Sequence, residues 1–115
     1  MTNKVYIVQE VVRRDKETGQ LVPALDLSDA ARYGALEILL QPGRVALSTA
    51  PMMSRLRSAL RDFCDDDYLL PTGDTAAIAA ASVVAGSMNR GRVKVLSWDR
   101  VSRQYIPIQL SLNGE

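Results

Sequence analysis

The segment from residue 68 to residue 98 constrains the fold most, because it has the pattern of a strand, a helix and a second strand in direct succession. Tyr68–Pro71 is a short apolar run typical of a strand, and Asp74 suits the N-cap of a helix that continues to about Met88. Arg92–Trp98 alternates apolar and polar side chains, as a strand does. Two strands joined through a helix are normally parallel with a right-handed crossover, so this segment predicts a βαβ unit.

The N-terminal part of the chain has shorter strand patterns. Lys4–Val12 is apolar on both alternating faces, which is typical of an interior strand. Leu21–Leu27 alternates and contains Pro23, so it is predicted to return as an edge strand. Ser28–Arg32 has the pattern of a short helical turn capped by its serine. Ala35–Leu40 fits either a strand or a helix, and we favour the strand.

A long helix and a terminal hairpin complete the predicted fold. Val45–Leu47 is predicted as a further short strand, and Pro51–Cys64 is the clearest helix, with its proline at the first helical position. Tyr105–Leu112 is the last strand and follows a polar turn. The prediction is a single α/β domain over residues 1–115: a mixed sheet with a βαβ unit, two main helices and a C-terminal β-hairpin. The apolar face of the long helix comprises Met52, Met53, Leu56, Leu60, Phe63 and Cys64.

The amino-acid composition excludes several kinds of site. The chain contains no histidine, which is the commonest neutral-pH base and metal ligand, and one cysteine, Cys64. A lone thiol forms neither an internal disulfide nor a zinc cluster, and we expect Cys64 to be buried and unreactive. We therefore predict no cofactor and no metal, and do not favour an enzyme. Lys and Arg number 14 against 13 Asp and Glu, so the net charge of +1 gives no global attraction to nucleic acid.

The charge distribution along the chain predicts a soluble cytoplasmic protein. The N-terminal residues include charges within the first dozen positions and lack the pattern of a signal peptide. The longest uncharged run, Thr75–Asn89, is too short and too rich in alanine and serine to span a bilayer. No membrane association is expected.

The turn before the second helix is a candidate ligand site, made of Pro71, Thr72, Gly73, Asp74 and Thr75. A strand that leads through a glycine into a helix N-terminus is where many α/β proteins hold a phosphate. Only one glycine is present, however, and the Asp74 carboxylate would compete with an anion for the same N–H groups. A capped helix after a glycine turn is the favoured interpretation, and a small ligand or nucleotide is the alternative.

Three consecutive acidic residues, Asp65, Asp66 and Asp67, are a candidate cation site. Neighbouring residues at the end of a helix point in different directions, and the spacing of a calcium-binding loop is absent. A solvated acidic loop is therefore favoured over a metal site.

A run of basic and aromatic residues near the C-terminus is a candidate surface for single-stranded nucleic acid. Alternate residues of a strand share a face, so basic side chains there can line up beside exposed rings. The near-zero net charge weakens this hypothesis, and the chain has so few aromatic residues that they are expected in the core or an interface. The candidate residues are Arg90, Arg92, Lys94, Trp98, Arg100, Arg103 and Tyr105.

The predicted second helix has no charged residue between Thr75 and Asn89. A helix on the outside of a small domain normally carries a charged stripe. We therefore predict that this helix, or the hairpin beside it, takes part in a homodimer contact, since small side chains allow a close approach. The alternative is a helix that exposes alanines at little cost. The candidate interface residues are Ala77, Ala80, Ala81, Val84, Ala85 and Met88.

Four segments together resemble a group of short proteins from tailed bacteriophages: KVYIVQE (4–10), DDYLLPTGD (66–74), GRVKVLSWDR (91–100) and YIPIQL (105–110). The resemblance lies mostly in the C-terminal half and includes no catalytic motif. It implies an accessory phage protein that acts inside a bacterial host, with a host protein as a candidate partner. Together with the composition, it favours a non-enzymatic interaction protein that binds itself and a macromolecular partner.

Overall fold

The computed structural model describes residues 3–45 and 49–114, which form one mixed sheet, a small second sheet and helices packed against them. The elements are β1 Lys4–Gln9, β2 Val12–Arg14, β3 Leu21–Pro23, a 3₁₀ helix Ala30–Tyr33, β4 Ala35–Leu40, α1 Ala50–Ala59, β5 Tyr68–Leu70, α2 Thr75–Met88, β6 Arg92–Asp99 and β7 Gln104–Ser111. The large sheet has the strand order β4-β1-β5-β6-β7, and β2 pairs only with β3 within these residues.

The predicted βαβ unit is present as β5–α2–β6, with the two strands parallel. The Asp74 carboxylate accepts a hydrogen bond from the Ala76 N–H at 2.9 Å and caps α2. Arg90 and Gly91 follow with φ angles of 58° and 79°, the left-handed conformation that ends a helix. β6 and β7 form the antiparallel hairpin. The predicted fold class is confirmed: a mixed sheet, a βαβ unit, two main helices and a C-terminal hairpin.

The predicted strand Lys4–Val12 is divided in two. β1 ends at Gln9, opposite Leu40, the last residue of β4, whereas β5 ends two residues earlier, with Leu70 opposite Ile7. The chain then leaves the large sheet, and Val12 begins the separate hairpin of β2 and β3. β3 contains Pro23 and is an edge strand as predicted, but it returns against β2 and not against β1.

The predicted cap of the 3₁₀ helix is wrong. The N–H and the hydroxyl of Ser28 both donate to the Asp26 carboxylate, which is a local turn that competes with capping. The helix begins at Ala30, after Asp29, and ends at Tyr33, before Gly34. Ala35–Leu40 is a strand, as favoured.

α1 is shorter at its C-terminus than the predicted helix Pro51–Cys64. The chain turns after Ala59, and the backbone N–H of Cys64 donates to the Asp67 carboxylate at 3.1 Å, which holds it in a loop. The predicted apolar face is retained, with Leu56, Leu60 and Phe63 buried. In the predicted strand Val45–Leu47, Val45 is not in a strand, and residues 46 and 47 lie outside the described residues.

Each face of the large sheet is packed against its own apolar cluster. On one face, α1 and α2 cover β4, β1, β5 and β6. On the other face, the 3₁₀ helix closes a smaller cluster around β1 and β6. Among the described residues, no helix has the length and hydropathy that a membrane span needs. Buried side chains of the first cluster include Leu56, Leu60, Phe63, Leu69, Ala77, Ala81, Val84 and Ala85, and those of the second include Val5, Ile7, Leu70, Leu96 and Tyr105.

Candidate interaction surface

The helices cover the large sheet only as far as β6, although β7 also has apolar side chains on the helix side. Residues directly opposite each other in an antiparallel pair share a face, and Val93 is opposite Leu110. Val93 is buried beneath α2 in the first cluster, so Leu110 points to the helix side as well. Period-two alternation places Ile106 and Ile108 on that same side. The edge strand β7 therefore presents an apolar row next to α2.

This row continues onto α2 and past the end of β7 as one surface, which we call the apolar face. Leu110 lines two adjacent grooves of about 660 and 610 Å³, and the second groove runs between β7 and the outer side of α2. Large apolar side chains are common on protein surfaces singly, but a contiguous group is a typical sign of an interaction site. The apolar face comprises Val83 (68% exposed), Ile106 (43%), Ile108 (44%), Leu110 (51%) and Leu112 (87%).

The predicted interface on α2 lies for the most part on the inner side of the helix. Helical spacing puts the candidate residues on one side, and that side faces α1 and the sheet. The absence of charge on α2 is thus partly explained by the core. The outer side is uncharged too, and Val83 and Gly86 line the second groove. Of the candidates, Ala77, Ala81, Val84 and Ala85 are buried in the core, and Ala80 and Met88 are partly buried against it.

The candidate ligand turn is occupied by the protein's own Gln9 side chain. The Gln9 amide oxygen accepts a hydrogen bond from the Asp74 N–H at 2.7 Å, at the place where an anion would bind a helix N-terminus. The amide nitrogen donates to the carbonyls of Gln41 and Gly43 at 2.9 and 2.6 Å. Gly73 has a φ of 104°, and a β-carbon there would lie within 2.5 Å of the Gln9 β-carbon. Gln9 therefore ties β1, the loop after β4 and the start of α2 together.

The remaining residues of the turn also have structural contacts. The Thr72 hydroxyl donates to the Gln9 carbonyl at 2.8 Å, and Thr75 is the exposed first residue of α2. Pro71 and Thr72 line the first groove beside the apolar face, where the described lining residues include no lysine or arginine. Such a lining does not match the charge of a phosphate. The sequence analysis did not identify Gln9 as a residue that holds this turn. The only signal for it was a single amide side chain at the end of an apolar strand.

Replacement of the cap tests the structural account of this turn. We expect Asp74→Ala to lower the free energy of unfolding by about 1 kcal/mol, because the Ala76 N–H loses its acceptor. Asp74→Ser is the matched control, since a serine oxygen also caps helices, and it should lose less than half as much. Urea unfolding followed by circular dichroism measures both variants. Equal losses for the two variants would contradict a capping role.

The carboxylates of the candidate cation site at residues 65–67 do not point to a common position. Asp65 forms an ion pair with Arg92 at 3.1 Å. The hydrogen bond from Asn89, and to a smaller extent those from Arg92, lower the pKa of the Asp65 carboxyl group. Asp67 is buried and accepts the backbone N–H groups of Lys4 and Cys64. In residues 3–45 and 49–114, the acidic and cysteine side chains form no group that could hold a metal ion.

Cys64 is partly buried beside Asp67, to which its thiol donates at 3.4 Å. The backbone hydrogen bond from Asp66 favours the thiolate, but burial and the Asp67 carboxylate outweigh it and raise the pKa of the thiol. A raised pKa lowers the fraction of nucleophilic thiolate at neutral pH.

The candidate nucleic-acid residues are distributed over different parts of the surface. Arg92 is paired with Asp65, and the Lys94 ammonium lies 4.4 Å from the centre of the Tyr68 ring. Trp98 is six residues after Arg92 on β6, about 20 Å away, and packs edge-on against the buried Tyr105. The other basic candidates lie beyond the two ends of β6. They are Arg90 after α2, and Arg100 and Arg103 in the hairpin turn.

Comparison with protein families gives a match over most of the chain. The family model described as "Phage Pam3 gp32-like protein" matches residues 3–112. Comparison with curated proteins and with solved structures finds no match. The family match agrees with the resemblance to phage proteins drawn from the sequence.

Proposed function

This chain belongs to the phage Pam3 gp32-like protein family, and we propose that it is an accessory phage protein that works by binding, without catalysis. In this proposal it forms a homodimer in the cytoplasm of the infected bacterium and presents its sheet and helix surface to a macromolecular partner such as a host protein. The observation that carries the proposal is the apolar face, which stays exposed although α1 and α2 cover the same side of the sheet from β4 to β6. Contiguous apolar surface of this kind is often a functional contact.

The polar side chains of the two candidate sites support a binding role over a catalytic one. Gln9 and Asp74 are used to hold the turn before α2. Asp67 holds the loop after α1. Groups that are already hydrogen-bonded to the backbone are poorly placed to exchange protons with a substrate. The nucleotide and nucleic-acid alternatives have less support, since Gln9 occupies the turn and the basic residues are spread along β6.

Light scattering coupled to size-exclusion chromatography tests the homodimer. Since one chain has a mass of 12.6 kDa, we expect a species of about 25 kDa at a protein concentration of about 100 µM. The apparent mass should decrease towards that of one chain on dilution, because association depends on concentration. A strict monomer over the whole range would contradict the homodimer.

A further inference from the structure

We infer that a second copy of this chain packs on the apolar face about a two-fold axis, and that the dimer does not form by adding a strand at the free edge of β7. The inference rests on the proposed homodimer and specifies where its contact lies. It therefore assigns the contact to Val83, Ile106, Ile108, Leu110 and Leu112, instead of the buried side of α2.

The outer edge of β7 is blocked along its first half, because its outward backbone groups are already hydrogen-bonded or absent. In an antiparallel pair, alternate residues direct their backbone groups away from the neighbouring strand. The Leu112 N–H donates to Gly91 at 3.0 Å, so the alternation places Tyr105 and Pro107 with their backbone groups outward. The Tyr105 N–H donates to Asp29 at 2.6 Å.

The Tyr105 carbonyl is occupied as well, and the next outward position has no donor. That carbonyl accepts the Tyr33 hydroxyl at 2.6 Å and an Arg32 nitrogen at 3.3 Å, both from the 3₁₀ helix. Pro107 has no N–H group. Proline and covering elements are the usual means by which edge strands avoid pairing with another chain. Strand addition at β7 would break these contacts.

β4, at the opposite edge of the sheet, is held by side-chain contacts to α1 and β1. The Leu39 carbonyl of β4 accepts a hydrogen bond from the Arg55 side chain of α1 at 2.7 Å. Lys4 and Glu37 form an ion pair across β1 and β4 at 3.1 Å. Since the first half of the β7 edge is blocked, the apolar face is the better surface for a second copy.

The apolar face has the area that a dimer contact needs. Its five residues together expose roughly 500 Å² of surface, most of it from apolar side chains, which is within the range of the largest patch on a typical monomer. A standard interface buries about 800 Å² on each partner, of which about 60% is apolar. The exposed area of the apolar face is thus close to the apolar area that one partner buries in a standard interface.

The chemistry of the apolar face suits a second copy of the same chain. In a two-fold contact, each residue meets the same patch on the partner, so like charges would face each other. All five side chains of the apolar face are uncharged. Gly86 beside Val83 has no side chain, which allows a close approach at the helix. The five side chains of two apolar faces can therefore meet without bringing like charges together, although Arg90 also lines the second groove.

Ile108→Arg tests this assignment, with Ile38→Arg as the matched control. Ile38 lies on β4 and is 42% exposed against 44% for Ile108, but it points to the other face of the sheet. We expect Ile108→Arg to raise the dimer dissociation constant about tenfold or more, because a charge is buried without a partner. Ile38→Arg should change it less than about twofold. Light scattering and sedimentation give the constants, and circular dichroism shows whether each variant is folded.

A second pair of variants keeps the test decisive if Ile108→Arg does not fold. Val83→Arg changes an exposed helix position and should weaken the dimer to a similar degree. Gln109→Pro removes an outward N–H of β7 and should leave the dimer intact in a folded protein, since the edge is not used.

Three outcomes separate the two proposals. A monomeric wild type contradicts the homodimer itself. A dimeric wild type that neither Ile108→Arg nor Val83→Arg weakens contradicts the apolar face as the contact, while the homodimer stands. Loss of the dimer in a folded Gln109→Pro variant would indicate a contact through the edge of β7 and would contradict packing through the apolar face.

Discussion

Gly73→Ala is expected to lower the free energy of unfolding by about 3 kcal/mol or more, from two separate costs. The first cost is conformational, because the φ of 104° at this position is unfavourable for any residue with a β-carbon. The second is steric, because the new methyl group would overlap the Gln9 side chain at its β-carbon and its amide oxygen. Gln9 is buried and bonded to the turn, so it cannot move aside without losing its hydrogen bonds.

Gly19→Ala is the matched control for the conformational cost. Gly19 has a φ of 73°, also in the left-handed region, and a β-carbon there would have open space around it. We expect this variant to lose only about 1 kcal/mol. Urea unfolding of both variants separates the two costs. Similar losses for Gly19→Ala and Gly73→Ala would contradict the close packing of Gln9 against the turn.

Gln9→Ala is expected to be about as destabilising, by about 3 kcal/mol. The substitution leaves the Asp74 N–H and the carbonyls of Gln41 and Gly43 without their partner. Each of these part-buried hydrogen bonds contributes about 1 kcal/mol, and removal of the buried Gln9 side chain also leaves a space behind it. The loop after β4 should also become more accessible to protease, since two of its carbonyls are held by this side chain.

Gln41→Ala is the control for Gln9→Ala. The Gln41 side chain is exposed, and its carbonyl still accepts the bond from Gln9 after the substitution. The expected change is within about 0.5 kcal/mol. Thermal and urea unfolding provide the comparison, and a Gln9→Ala variant as stable as Gln41→Ala would show that Gln9 does not hold the turn.

Most of the fold could be predicted because its signals act over a few residues. The Asp74 cap, the Gly91 stop and the alternation of β6 each depend on local backbone geometry. The end of β1 could not be predicted in this way. The residues after Gln9 are apolar enough to continue a strand, but pairing in the large sheet stops at Gln9, opposite the last residue of β4, and Val12 pairs with β3 instead.

The candidate sites were harder to predict, because they depend on which side chains meet. The turn at Gly73 has the sequence of an incomplete phosphate site, and its occupant Gln9 is 64 positions earlier in the chain. Ala77 and Ala85 have the small size of an interface residue, but the same size also suits a helix packed closely on a sheet. Periodicity shows that these alanines share one side of α2, and the position of α1 shows that the side is internal.

The sequence by itself determined the order of the main helices and strands, that the fold is of the α/β class, and that α2 carries no charge. Caps, turns and periodic side chains act within one helix or strand. They can therefore be recognised from the amino-acid sequence alone. Only the tertiary structure decided which apolar residues remain uncovered. The strand order puts β7 beyond the reach of α1 and α2, so Ile106, Ile108 and Leu110 stay exposed, whereas equally apolar residues of β1 are buried. Burial depends on the neighbours that the fold assembles, and these are distant in the chain.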